Sequence, residues 1–220
     1  MVELRYERHL AEKDIFRAAA LAAAAFDDSP AYKYMFPGGR EERVDFLEWL
    51  FERNFYMLHG YQDDYDGLMR CTYDDEAKEL VSFLVLADSS MPRPGLWALL
   101  QVGILAGVFK FGWGVMQRMV ATKDWFDARY KEVIGNKHML LLERMTVLRS
   151  YQGQGVGSRA LGKALKDADA AGLPCVLSTQ LARNVTFYKR AGFHVVDESV
   201  VPEELGGYRN WIMMREPAVE

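Results

Sequence analysis

The sequence is short of several things, and each shortage excludes a class of function. Among 220 residues there are two cysteines, Cys71 and Cys175, far apart and outside any Cys-x-x-Cys pair or zinc-type Cys/His spacing. The expectation is therefore reduced thiols and no metal. Basic charge is not in excess: Lys and Arg number 27 against 31 Asp and Glu, a net charge of -4. Proteins that grip phosphate backbones or anionic membranes usually carry a basic footprint. Nucleic acid is not expected as a partner. The longest apolar run, Leu96 to Phe109, ends at Lys110 after fourteen residues, whereas a membrane span needs about 20. The Ala18 to Ala25 run lacks the basic lead-in and cleavage context of a signal peptide. A cytoplasmic protein without a membrane span is the expectation.

What is present is a half-hydrophobic chain of a length that buries a normal core in one large domain, read as residues 1–220. No internal repeat or low-complexity linker divides it. Residues 2–8 alternate like a strand, and alanine-rich residues 11–26 read as a helix that stops at Asp27-Asp28-Ser29-Pro30. Val44, Leu47, Leu50 or Phe51, Asn54 or Phe55, and Leu58 recur at helical spacing over residues 40–59, with Gly60 as a C-cap. Residues 67–73 and 79–87 read as an antiparallel hairpin. An aromatic, glycine-interrupted and helical segment covers about residues 91–137 as a hydrophobic insertion. Residues 138–147 are strand-like and mostly apolar, so they are placed in the sheet centre and buried on both faces. A glycine-rich turn follows over residues 148–156. A helix then spans residues 157–171 on a stripe of Leu161, Leu165, Ala168 and Ala171, ending at Gly172 and Pro174. A strand at 175–179, a short helix at 184–191 and strands near 193–200 and 208–215 complete a mixed α/β fold. Its sheet is largely antiparallel, with helices on both faces and one central β-α-β unit.

The informative piece is Gln152-Gly153-Gln154-Gly155-Val156-Gly157 between a buried strand and a helix. The first helical turn presents unpaired N–H groups there, and glycine lets an anion approach the backbone at positive φ without a Cβ in the way. An ordinary strand-to-helix turn is the plain alternative. Two other phosphate motifs fail on spacing. A dinucleotide fingerprint starting at Gly155 lacks its acidic residue, since residues 175–182 contain none. A nucleotide-triphosphate loop over Gly157 to Lys163 is followed by Ala164 where Ser or Thr should hold magnesium.

The Gln152, Gly155, Gly157 spacing resembles the pyrophosphate loop of the GNAT superfamily of acetyl-CoA-dependent N-acetyltransferases. The preceding Glu143-Arg144-Met145-Thr146-Val147 and the following Asn184-Val185-Thr186-Phe187-Tyr188-Lys189-Arg190-Ala191-Gly192-Phe193 match as well. The resemblance implies acetyl-CoA as co-substrate in a sheet splayed at its central parallel pair. It assigns the pyrophosphate to Gln152, Gly153, Gln154, Gly155, Val156, Gly157 and Ser158. It assigns pantetheine to the backbone of Met145, Thr146 and Val147 and to Asn184, with Phe187 and Tyr188 beside it. Asn184 also reads as a helix N-cap. Tyr188 is implied as general acid toward the leaving thiolate, and otherwise as a core aromatic.

Direct attack by an amine needs a proton acceptor, and relatives differ in where they place it. A glutamate six residues before the asparagine is Ser178 here. That departure leaves Glu143, read as lying on the same strand face as Val147, or His138 or a water chain; Glu143 paired to Arg144 as a structural ion pair is the alternative. The acceptor is read as a small-molecule amine drawn to Asp27 and Asp28 beside Tyr32, Tyr34 and Phe36. Trp97, Phe109, Phe111 or Trp113 is expected to wall or cover an apolar or aromatic acceptor pocket. A plain sheet-covering role or a homodimer contact is the other use of those side chains. An acyl-CoA sensor without turnover, or a transferase acting on a protein or peptide amine, are the competing functions.

Overall fold

A computed structural model describes residues 3–92 and 103–218. In chain order these form β1 (Leu4–Glu7), α1 (Ile15–Phe26), α2 (Pro30–Met35), α3 (Arg40–His59), β2 (Met69–Asp74) and β3 (Glu79–Asp88). Then come α4 (Ile104–Phe111), α5 (Trp113–Ile134), β4 (Leu140–Val147), α6 (Val156–Ala170), β5 (Cys175–Thr179), α7 (Ala182–Arg190), β6 (His194–Val200) and β7 (Arg209–Arg215). The seven strands form one sheet in the order β1-β2-β3-β4-β5-β7-β6. Every neighbouring pair is antiparallel except β4 and β5.

Helices cover both faces. On one face α1 buries Ile15, Ala18, Ala19, Leu21, Ala22 and Ala23; small alanine side chains let its backbone lie close against α3 and the sheet. α3 fills the remaining depth with Phe46, Phe51 and Phe55, which pack with Phe83 of β3. On the other face α6 presents Val156, Ala160, Leu161, Ala164, Leu165 and Ala168 to β3, β4 and β5. That stripe follows the 3.6-residue period down from the start of the helix. It stops short of Ala171, which is exposed.

Some expectations change in detail. Pro30 does not merely end α1: it opens α2 as its first residue, where a missing N–H costs nothing. The buried face of α3 is rotated toward Phe46, Trp49 and Phe51, and Gly60 follows the helix in a right-handed conformation, with φ -65°. β4 is central, yet only Leu142 and Thr146 of its residues are fully buried. The reason is that one side of the strand opens away from its neighbour. No helix among the described residues is long and apolar enough to cross a membrane.

Candidate active site

The parallel ladder between β4 and β5 consists of Leu140 opposite Cys175 and Leu141 opposite Val176. β4 continues to Val147 and β5 to Thr179, so beyond this pair the strands separate as a fork. Peptide groups on the inner edge of each prong are left without a strand partner and can serve an extended ligand.

A β-bulge aims the β4 prong. Val85 lies opposite Glu143 and Phe83 opposite Thr146, so Leu84 alone faces both Arg144 and Met145. Arg144 takes φ 50°, a left-handed conformation that costs a non-glycine residue about 1–2 kcal/mol. The extra residue reverses the alternation of faces. Leu140, Leu142 and Met145 therefore all pack with the α6 cluster, whereas Leu141 joins the cluster on the α5 face. Val147 is also on the α6 side, because a Cβ on Gly157 would stand 3.0 Å from its Cγ2 and 3.4 Å from Met145 Cε. Glu143 shares its face with Leu141. The expectation that Glu143 and Val147 lie on one face is thus corrected: the carboxylate projects toward α5.

At the tip of the fork, Gly153 and Gly155 have φ 77° and 75°, and a Cβ on either would meet open space. Gly155 caps α6, whose first helical residues Val156, Gly157 and Ser158 have no acceptor within the helix for their N–H groups. The glutamine side chains brace the loop from within: Gln152 Nε2 donates to Val147 O at 3.0 Å and Gln154 Nε2 to Ser150 O at 2.8 Å. Together these parts line a groove of about 1640 Å³ that also takes in Met145, Thr146, Val147, Asn184, Phe187 and Tyr188. Arg17, Arg149, Arg183 and Arg190 stand on its walls. They were not legible as a group in the sequence, and they suit the charge of a diphosphate.

Asn184 does not cap α7. The helix starts two residues earlier, at Ala182, and Asn184 Nδ2 donates to Thr179 Oγ1 at 3.0 Å, fixing the side chain at the end of the β5 prong. Tyr188 packs edge-on against Phe187 and Phe193, with ring centroids 5.1 and 5.7 Å away. No hydrogen bond engages its hydroxyl among the described residues. Burial raises its pKa above the ordinary tyrosine value, so the phenol keeps its proton.

The acidic pair is differently occupied than expected. Asp27 is buried and meets Arg43 at 2.9 Å and Arg40 Nε at 2.8 Å. Asp28 is exposed and lies 3.2 Å from Lys33 and 3.1 Å from Arg183. Both border the groove, yet each carboxylate is already held by two cations, which removes the net negative field that was to draw an amine. Tyr32 packs edge-on against Phe26 and Phe51, and Phe36 stacks on Phe46. Phe111 joins that aromatic cluster through Phe36, Phe46 and Trp49. Phe109 is 91% exposed and Trp113 64%; Trp97 lies outside the described residues. Glu143 is ion-paired with Arg144 and its side chain is 42% exposed. His138 pairs with Asp88 at 2.9 Å. It sits at the far end of β4, roughly 23 Å from Met145 at ~3.3 Å per residue, which takes it away from the fork.

A family model described as the acetyltransferase (GNAT) domain matches residues 116–195. A mosquito protein from Aedes aegypti, titled an insect arylalkylamine N-acetyltransferase 7, superposes with a TM-score of 0.63 at 14% identity, covering 99% of this chain and 89% of that one. A Corynebacterium glutamicum structure titled as histone acetyltransferase and related acetyltransferase gives 0.59 at 17% identity, covering 100% and 99%. A GNAT-family acetyltransferase structure from Desulfovibrio desulfuricans gives 0.57 at 14%, covering 98% and 100%. Residues 116–195 thus match the acetyltransferase (GNAT) domain, and the chain as a whole shares the fold of these acetyltransferase structures.

Proposed function

We propose that the chain moves the acetyl group of acetyl-CoA to the amine of a small molecule by direct attack. The observation that carries this reading is the position of Tyr188. Tyr188, whose proton-bearing hydroxyl has no hydrogen-bond partner among the described residues, lines the same groove as the N–H groups at the start of α6 and the open prong of β4. In this reading Val156, Gly157 and Ser158 hold the pyrophosphate, Met145 to Val147 and Asn184 hold pantetheine along the fork, and the acetyl group reaches the crotch. Acetyl-CoA supplies an activated acyl group. Tyr188 gives its proton to the departing thiolate, a contribution of about 10²-fold at the low end for general acids.

An alkylamine with a pKa of about 10.4 must lose a proton before attack, at a cost of about 4–5 kcal/mol at pH 7. Glu143 on the α5 face of the fork is the proposed acceptor of that proton, oriented by its contact with Arg144. The acceptor body belongs on the same face. There Tyr32, Trp125, Phe126 and Tyr208 cluster between α2, α5 and the connection from β6 to β7, which favours an amine with an apolar or aromatic substituent. The test is thiol release from acetyl-CoA across a panel of alkyl, aromatic and peptide amines. Amine-dependent release with arylalkyl or alkyl amines supports the reading; release with N-terminal peptides alone replaces it with a peptide acceptor.

A further inference from the structure

The last ladder pair before the fork opens is Leu141 with Val176. Tyr130, on the inward side of α5, packs into the cluster of Ile134, Met139, Val176 and Ile212 together with Leu141, so it sits on the seam where the two strands part. Two residues farther along each strand, on that same face, come Glu143 on one prong and Ser178 on the other. Ser178 is itself anchored: its Oγ donates to Asn210 Oδ1 at 2.6 Å, and Gln180 Nε2 donates to the same oxygen at 2.9 Å. Asn210 is fully buried, and its Nδ2 has no partner among the described residues. A buried amide donor without an acceptor costs about 1–3 kcal/mol, which points to a polar occupant beside this cluster.

We propose that Tyr130 is an acceptor-binding residue, its hydroxyl holding the attacking amine at the crotch of the fork between Glu143 and Ser178. This rests on the transferase reading above and deepens it. Tyr188 approaches the fork from the α6 face and Tyr130 from the α5 face, so an acetyl group lodged between the prongs has a proton donor for the sulfur on one side and a holder for the amine on the other. Burial first, and then the charge of Glu143, raise the pKa of Tyr130, while its contact with Ser178 lowers it; the net rise keeps the hydroxyl neutral. A neutral phenol oxygen accepts a hydrogen bond from an amine N–H and leaves the nitrogen lone pair free to attack.

The test compares Tyr130→Phe with the parental enzyme in the thiol-release assay, measuring KM for an arylalkylamine and for acetyl-CoA separately. The expected result is a rise of roughly tenfold in the amine KM, with acetyl-CoA KM and melting temperature unchanged. Ser178→Ala is expected to raise the amine KM in the same sense. KM does not depend on how much of a sample is folded, so the ratio of the two constants reports the effect even for a variant that melts early. A Tyr130→Phe enzyme whose amine KM lies within about twofold of the parent, or whose two KM values rise together, overturns the inference and leaves the transferase reading standing. A parental enzyme that binds acetyl-CoA and releases no thiol with any amine overturns both.

Discussion

Gln152 Nε2 donates to the carbonyl oxygen of Val147 at 3.0 Å, tying the glycine loop to the last residue of the β4 prong. In the proposed reading, one side chain thus couples the phosphate end of the groove to its pantetheine wall. Gln152→Ala is expected to weaken acetyl-CoA binding by about tenfold, the worth of one hydrogen bond at the upper end of the usual range. The contact is exposed, so the melting temperature should hardly move. Titration calorimetry with acetyl-CoA checks both the affinity and its independence from the amine.

Gly155 and Gly157 should fail for different reasons when changed to alanine. Gly155, at φ 75° with open space at its Cβ position, places alanine in a strained conformation costing about 1–2 kcal/mol and directs a methyl group into the proposed anion cradle. Gly157 has no such strain, but its Cβ would press on Val147 Cγ2 at 3.0 Å and displace the prong. Both variants are expected to lose acetyl-CoA affinity. Only Gly157→Ala should also perturb the packing of β4 on α6, read as a change in amide exchange at Met145 to Val147.

Tyr188→Phe is expected to slow the chemical step about 10²-fold at unchanged acetyl-CoA affinity. Because burial raises the pKa of Tyr188, its proton stays bound through the pH range in which an ordinary tyrosine begins to ionise near 10. The sign follows directly: a raised acid pKa moves the loss of the protonated form to higher pH. The pH-rate profile should therefore show no falling limb from this group below about pH 10. A fall in kcat at pH 9, abolished by Tyr188→Phe, would contradict the assignment.

Asp27→Asn should act on stability and not on the acceptor. Its carboxylate is a buried partner of Arg43, and removing one member of a buried pair costs about 3–5 kcal/mol. In a chain of 220 residues that corresponds to a fall in melting temperature of roughly 6–20 °C. Amine KM should stay near the parental value. Asp28→Asn, at an exposed position between Lys33 and Arg183, should change melting little.

Phe111, Phe109 and Trp113 divide the two roles expected of their segment. Phe111 lies in contact with Phe36, Phe46 and Trp49, and Phe111→Ala is expected to lose about 3–5 kcal/mol. Phe109 and Trp113 are exposed. Their alanine variants should melt like the parent, and a changed ranking of amines in either would mark that side chain as a pocket wall. An unchanged ranking in both would end the wall reading for the two.

The parts of the fold that rest on local pattern were the legible ones. α3 occupies residues 40–59 and β5 residues 175–179 as periodicity and glycine punctuation imply, and Gly153 and Gly155 before α6 take the positive φ that glycine allows. The fork was implied by resemblance. The bulge that shapes its prong was not visible, because its left-handed residue is Arg144, where neither glycine nor asparagine announces a turn. The partners of Asp27 and Asp28 come from α2, α3 and α7, at separations that no local pattern encodes, and so the pair read as free charge. Tyr130 was invisible for a related reason: on a helix it is one aromatic among many, and only the pairing of Leu141 with Val176 puts it at the crotch.

The most direct test of the central claim is a stoichiometric one: incubate the parental protein with acetyl-CoA and an arylalkylamine, and follow free thiol and N-acetylated amine together by mass spectrometry. Transfer by direct attack predicts one acetylamide per thiol released, no thiol above background without amine, and no acetylated protein accumulating along the way. Tight acetyl-CoA binding with no acetylamide from any amine, or acetyl found on the protein in advance of product, would contradict it.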